Sequence, residues 1–331
     1  MAIGIGRRQF ISALGGTAVG WPLVARAQQP AMPVVGFIRD GSADANARIV
    51  TAFRKGLNEA GYIEGHNVSV EYHWLEGQTD HGPAVIADLV RRQVAVIATP
   101  GTAPSLAAKA ATTTIPVVFG VGTDPVQLGL VASLARPGGN ATGINFFVNE
   151  VVAKRLRLLH DLVPKAVRVA VLLNPTNALI ADSTLQDVQQ AAATIGMQIQ
   201  SLNASTIGEI DAAFAALARE RPDALFAAGD AFFVSRAVQF ATLTAINKIP
   251  SAYSVRELVA AGGLMSYGTD LADMAYQVGV YTGNILKGAK PADLPVLQST
   301  KFEFVINLQT ARALGIEVPS GLLSIADEVI E

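Results

Sequence analysis

Residues 115–140 read IPVVFGVGTDPVQLGLVASLARPGGN. Ile115 to Phe119 is a short β-branched and aromatic run of strand length. Gly120-Val121-Gly122-Thr123-Asp124-Pro125 follows as a loop of small and polar residues, and Asp124 before Pro125 is a natural helix start. Val126 to Leu134 then has the composition of a helix, and Pro137-Gly138-Gly139-Asn140 is a strong turn before the short stretch Ala141 to Phe147. Parallel strands need a crossover of a dozen or more residues, usually a helix, so strand, polar loop, helix and turn in this order read as one repeat of a parallel α/β sheet.

The same alternation continues in both directions. Strands are expected at Val34 to Ile38, Val68 to Trp74, Val94 to Ala98, Val167 to Leu173, Gln198 to Leu202, Ala224 to Ala228 and Leu264 to Ser266. Helices are expected at Ala45 to Glu59, Pro83 to Arg91, Pro104 to Ala110, Val152 to Leu162, Ile180 to Ile195, Ile207 to Glu220, Val234 to Ile246 and Leu271 to Leu286. Gly61 and Gly196 stand where left-handed caps would end the preceding helices. The turn at residues 137–140 divides the alternation into two blocks, which fit two open α/β units better than one continuous sheet. A late strand, Phe302 to Asn307, and a short helix, Thr310 to Leu314, form a tail that is expected to return across the boundary and stitch the units together.

The first 27 residues carry Arg7-Arg8-Gln9-Phe10-Ile11, a glycine- and alanine-rich apolar stretch to Val24, and Ala25-Arg26-Ala27. A positive start, a short apolar run and a small-x-small site describe a secretory signal peptide, and the paired arginines point to the twin-arginine route. The apolar run is short of the roughly 20 residues that a bilayer crossing needs. Removing the leader takes away three arginines and no acid, moving the formal charge from -2 to -5. A mildly acidic chain without a basic run is a poor nucleic-acid binder. With no cysteine, thiol chemistry and thiolate metal ligands are excluded, and the core must hold the fold without disulfides. The mature protein is expected to be soluble in the periplasm.

Ligands of parallel α/β sheets sit beyond the carboxyl ends of the strands. The loops there are residues 39–42, 99–102, 120–125, 174–177, 229–230 and 267–270, small and polar with several hydroxyls just before a helix. Helix starts of this type suit a carboxylate, and Asp124 or Asp230 would take an ammonium group, so a zwitterion is the economical ligand. The competing reading makes Ser42, Thr102, Thr176 and Thr269 plain caps, worth about 1 kcal/mol each, and packs Tyr267 into the core. Catalytic patterns are absent from the sequence. His66, His73, His81 and His160 have no metal-binding spacing, and there is no phosphate-binding loop, dinucleotide fingerprint or nucleophile elbow. No cofactor and no metal are expected.

The chain resembles the tryptophan- and tyrosine-binding group of solute-binding proteins of bacterial ABC importers. The resemblance rests on Val34-Val35-Gly36-Phe37, Gly56-Leu57 with Gly61-Tyr62, Gly65-x-Asn67-Val68, Ala98-Thr99-Pro100, and Ile115 to Phe119 running into Gly122 to Val126. It continues through Arg136 to Asn140 with Thr142-Gly143, Asn174-Pro175, Ala228-Gly229-Asp230, Ile285 to Gly288, Val305-Ile306-Asn307 and Ala311-x-x-Leu314-Gly315. It implies a two-lobed type I periplasmic-binding-protein fold, α/β, with a helix-flanked parallel sheet in each lobe and three crossovers. Residues 32–143 plus 268–289 would form lobe 1, and residues 144–267 plus 290–331 lobe 2. Ser42, Thr99, Thr102 and Asp124 would line one wall of the cleft, and Asn174, Thr176, Asp230 and Tyr267 the other. The implied ligand is a small amphiphile, either an aromatic or branched amino acid or a related organic acid. It would be held by hinge closure in a monomer and delivered unaltered to an inner-membrane ABC permease. An exported ligand-sensing receptor module is the alternative, and an enzyme acting on a small molecule is less favoured. Arg39 and Asp40, in the loop after the first strand, are charges that would serve an acidic ligand.

Overall fold

The computed structural model describes residues 32–76, 78–146 and 151–331. The expected leader, residues 1–27, lies outside them. Two sheets organise the rest. The first contains β1 (Val34–Arg39), β2 (Ser69–Trp74), β3 (Val96–Pro100), β4 (Val117–Val121), β5 (Ala141–Phe146) and β11 (Leu297–Ser299), in the order β11-β5-β4-β3-β1-β2. All its pairings are parallel. The second contains β6 (Arg168–Leu173), β7 (Gln198–Asn203), β8 (Ala224–Ala227), β9 (Ser251–Tyr253), β10 (Met265–Thr269), β12 (Phe302–Asn307) and β13 (Glu328–Ile330), in the order β13-β12-β10-β9-β8-β6-β7.

Helices cover both faces of both sheets, giving the two-lobed α/β architecture. On the first sheet, α1 (Ala47–Glu59) and α10 (Leu271–Leu286) share one apolar layer with Val35, Phe37 and Val118. There α2 (Gly82–Arg91) and α3 (Thr102–Ala111) pack on the other face against Ile38, Ile97 and Phe119. On the second sheet, α4 (Val152–Leu162) and α5 (Ala178–Ile195) cover Val169, Val171 and Phe226. The opposite face carries α6 (Ile207–Glu220), α7 (Ala231–Ser235), α8 (Ala237–Asn247) and α9 (Arg256–Ala260) over Leu172 and Leu225. Neighbouring strand residues thus feed opposite layers, as the two-residue period of a strand requires.

The chain passes between the sheets three times: after β5, at Asp270 between β10 and α10, and between β11 and β12. The tail stitches the sheets as expected, by a strand in each. Sheet membership differs from the ranges read in the sequence at three places: Ile144 to Phe146 and Leu297 to Ser299 belong to the first sheet, and Gly268 and Thr269 to the second. Entering the second sheet from its loop-bearing edge, β12 necessarily runs antiparallel to β10, the one such pairing among the described strands.

One expected helix does not form. Val126 to Leu134 is a series of turns, because Gly129 adopts a left-handed backbone (φ 70°) directly after the first turn, and Leu130 N–H returns to the Pro125 carbonyl at 2.9 Å. The expected helix Val234 to Ile246 is likewise divided into α7 and α8, with a non-helical break at Arg236 (φ -109°, ψ 22°).

Candidate functional site

The carboxyl edges of the strands carry the loops singled out in the sequence. On the first sheet, the Arg39 side chain ties two of them together. Its Nε donates to Asn46 Oδ1 at 2.5 Å and its Nη1 to the Pro100 carbonyl at 2.7 Å. Asn46, which precedes α1, donates back to the carbonyls of Asp40 (2.8 Å) and Ser42 (2.9 Å). Ser42 itself is exposed, with its hydroxyl 3.4 Å from the Ala45 N–H. Thr102 opens α3 and is half-buried. Thr99 is fully buried and accepts from the Ser105 hydroxyl at 3.0 Å, so its hydroxyl serves the β3–α3 junction. Asp124 is exposed and accepts the Val126 N–H at 2.8 Å, which is the capping role. Buried Asn145 at the end of β5 donates to the carbonyls of Val121 and Thr123, each at 3.1 Å, and shapes the loop that carries Asp124.

On the second sheet the structure brings Asn174, Thr176 and Asp230 into one network. Asn174 is 7% exposed. Its Oδ1 accepts from the Thr176 N–H (3.1 Å) and hydroxyl (2.7 Å), and its Nδ2 donates to Asp230 Oδ1 at 2.9 Å. Asp230 also takes the Phe232 N–H at 2.9 Å and Asn177 Nδ2 at 3.1 Å. Three donors from its own lobe thus occupy this carboxylate. Tyr267, 9% exposed, stacks on Phe302 (centroids 6.2 Å apart) and lies under the Lys154 ammonium at 4.4 Å. It stands on β10, beside the second and third crossings.

A charged cluster that the sequence reading did not assemble spans the two sheets. Arg48, in the first turn of α1, donates to both oxygens of Glu303 on β12 (3.1 and 2.8 Å) and to Asp270 at 3.2 Å. Burial pushes the Glu303 carboxyl above its ordinary range, with Arg48 opposing that rise. Glu257, on α9, is half-buried, and its Oε2 is shielded from solvent without a hydrogen-bond partner among the described residues. Desolvation lowers the Arg39 pKa; Glu257 and then Asp40 act against that lowering. Val255, next to α9, packs against the apolar layers of both lobes. Of these charges Arg39 and Asp40 are singled out in the sequence, by their place immediately after the first strand. Glu257 follows a three-residue strand and sits on a five-residue helix, both too short to leave a periodic signal.

Among the described residues no group of His, Asp or Glu side chains is arranged to hold a metal ion, and no helix is long and apolar enough to cross a membrane. Two helix-flanked sheets, parallel but for the β10–β12 pair, three crossings and polar loops at the carboxyl ends of the strands define a type I periplasmic binding protein. The family model described as ABC transporter substrate binding protein matches residues 32–330, and the chain belongs to that family. It is therefore a solute-binding component of an ABC import system rather than an enzyme. A tyrosine-binding protein of Clostridioides difficile (strain R20291) is 29% identical over 267 residues, covering 80% of this chain and 76% of the relative. An ABC domain from Streptococcus pneumonia, solved in complex with L-Trp, is 25% identical with a TM-score of 0.80, covering 90% of this chain and 99% of that one. A ligand-free, open substrate-binding protein with adhesive properties from Clostridium difficile shares the fold at 24% identity and a TM-score of 0.67, with the same coverage.

Proposed function

We propose that the mature protein captures an aromatic amino acid, or a closely related small amphiphile, between its two lobes outside the cytoplasm and hands it intact to an inner-membrane permease. The observation that carries the ligand class is the likeness to the tryptophan complex, supported by the tyrosine-binding relative. The same reading has the lobes closed over the ligand. Arg48–Glu303 contacts and the packing of Val255 on both apolar layers favour the same arrangement. In this reading an open form admits solute to one lobe, and closure completes its hydrogen bonds. Burying the ring contributes roughly 1.5–3 kcal/mol, and the charged ends must find partners as they leave water.

The leader, residues 1–27, would direct the chain to the periplasm. Ser42 and Thr102 on one rim, with Asn174, Thr176 and Tyr267 on the other, remain the proposed wall residues. Thr99, Asp124 and Asp230 would act through the loops they hold. A thermal-shift series on residues 28–331 tests the ligand class, using L-tyrosine, L-tryptophan, branched amino acids, aromatic acids, purines and sugars. The melting temperature should rise and saturate with the aromatic amino acids, since ligand at 100 times its dissociation constant adds about 2.7 kcal/mol. A rise with sugars or purines alone would reject the assignment.

A further inference from the structure

Arg39 ends β1 in the first sheet, Glu257 stands on α9 of the second lobe, and each is incompletely satisfied. Glu257 Oε2 is withdrawn from water, yet no donor among the described residues reaches it. A buried acceptor without a partner forfeits its hydration, and only an arriving donor restores the balance. Arg39 is held in place by two of its nitrogens, Nε on Asn46 and Nη1 on the Pro100 carbonyl. Its Nη2 makes no hydrogen bond among the described residues. A guanidinium fixed in this way is a preorganised carboxylate receptor. Val255, two residues before Glu257, packs against the apolar layers of both lobes, which brings the start of α9 to the face of the first sheet that carries Val35 and Phe37, and Glu257 acts electrostatically on Arg39. They nonetheless form no direct ion pair among the described residues, unlike Arg48 with Glu303.

We infer that Arg39 and Glu257 are the two ends of a clamp for an α-amino acid, Arg39 receiving its carboxylate and Glu257 its ammonium group. This rests on the reading that the cleft takes an amino acid, and it moves the ammonium site away from Asp124 and Asp230. Those two carboxylates already serve backbone or amide donors of their own lobes. Glu257 has an oxygen with nothing to accept. One ligand would thereby bridge the lobes, since its two charged ends are satisfied by opposite walls. A molecule lacking either end leaves one of these groups desolvated and unpaired, so it is rejected.

Calorimetry on residues 28–331 decides the matter, with L-tyrosine, tyramine (no carboxylate) and 3-(4-hydroxyphenyl)propionate (no ammonium) as probes. L-Tyrosine should bind at least about tenfold more tightly than either truncated analogue. Glu257→Gln should weaken L-tyrosine about tenfold or more while changing the propionate by no more than about twofold. Arg39→Lys should weaken L-tyrosine and leave tyramine nearly unchanged. Equal wild-type affinities for all three probes would overturn the clamp, and that comparison needs no variant to fold. L-Tyrosine binding that persists unaltered in folded Glu257→Gln and Arg39→Lys would remove the clamp and leave the amino-acid reading standing. If neither L-tyrosine nor L-tryptophan binds the wild-type protein, both proposals fall.

Discussion

Arg155 on α4 is fully buried, and no carboxylate answers its charge among the described residues. Its Nη1 lies 3.4 Å from the Ala227 carbonyl, its Nε and Nη2 have no partner among the described residues, and its guanidinium sits 4.8 Å from the centre of the Phe226 ring. Burial alone pushes its pKa down to about 9, which still leaves it protonated at neutral pH. An unpaired buried cation is costly, and exchanging it for an apolar chain of similar length is often neutral or stabilising. Arg155→Met is accordingly expected to hold or raise the melting temperature. Arg155→Ala, which leaves a void, should destabilise the fold by about 2–4 kcal/mol. Urea denaturation of the two variants checks both signs, and a Met variant as unstable as the Ala variant would show that the cation stabilises the fold through Phe226 and Ala227. The candidate site teaches the same lesson. Polar residues after strands were legible as positions, because chain order places them at one edge of a sheet. Their partners were not legible: Asn174 meets Asp230 across 56 residues, and Arg48 meets Glu303 across 255. Nothing in the local composition of Thr99 distinguished an inward hydroxyl from one facing a cleft.

Elements were more readable than contacts because their signals are local. α4, α6, α10 and β12 fall where periodicity puts them. β9, β11 and β13 have three residues each, below the length at which alternation shows, and sheet pairing alone defines them. The expected helix at Val126 failed on one glycine whose left-handed conformation only the fold selects. Glycine also decides how two helices meet. α1 and α10 approach with backbone against backbone: a Cβ on Gly56 would stand 2.0 Å from the Tyr276 carbonyl, and one on Gly279 would stand 2.2 Å from the Phe53 carbonyl. Backbone atoms cannot turn aside as a side chain can. Gly56→Ala should therefore force the helices apart and cost about 3 kcal/mol, although alanine is the better helix former by up to about 1 kcal/mol. A denaturation midpoint equal to or above that of the wild type would show that the pair has room to spare. Because α10 follows the second crossing, this packing also fixes where the chain re-enters the first lobe.

At the scale of the whole molecule, the joint between the lobes is the least local feature and the one a single sequence says least about. Arg48 reaches it from α1, while Glu303 and Asp270 come from β12 and the second crossing. The Glu303 side chain is 9% exposed and that of Arg48 is 39% exposed, so the attraction is partly screened and the carboxylate bears most of the desolvation. Burial raises the Glu303 pKa despite Arg48. A carboxyl raised in the folded state favours folding in its protonated form, and that contribution is lost as the pH rises through the folded value. Above that value the charge must be answered, and Arg48 answers it. Arg48→Ala is therefore expected to cost about 1–2 kcal/mol at pH 7–8, and the cost should shrink as acidification protonates Glu303. In a Glu303→Gln background the same change at Arg48 should cost much less, leaving the smaller term from Asp270. A double-mutant cycle by urea denaturation at pH 7.5, repeated at pH 4.5, measures this coupling directly. A penalty for Arg48→Ala that is equal at both pH values and survives Glu303→Gln would mean that Arg48 holds the joint by packing its aliphatic stem rather than by charge.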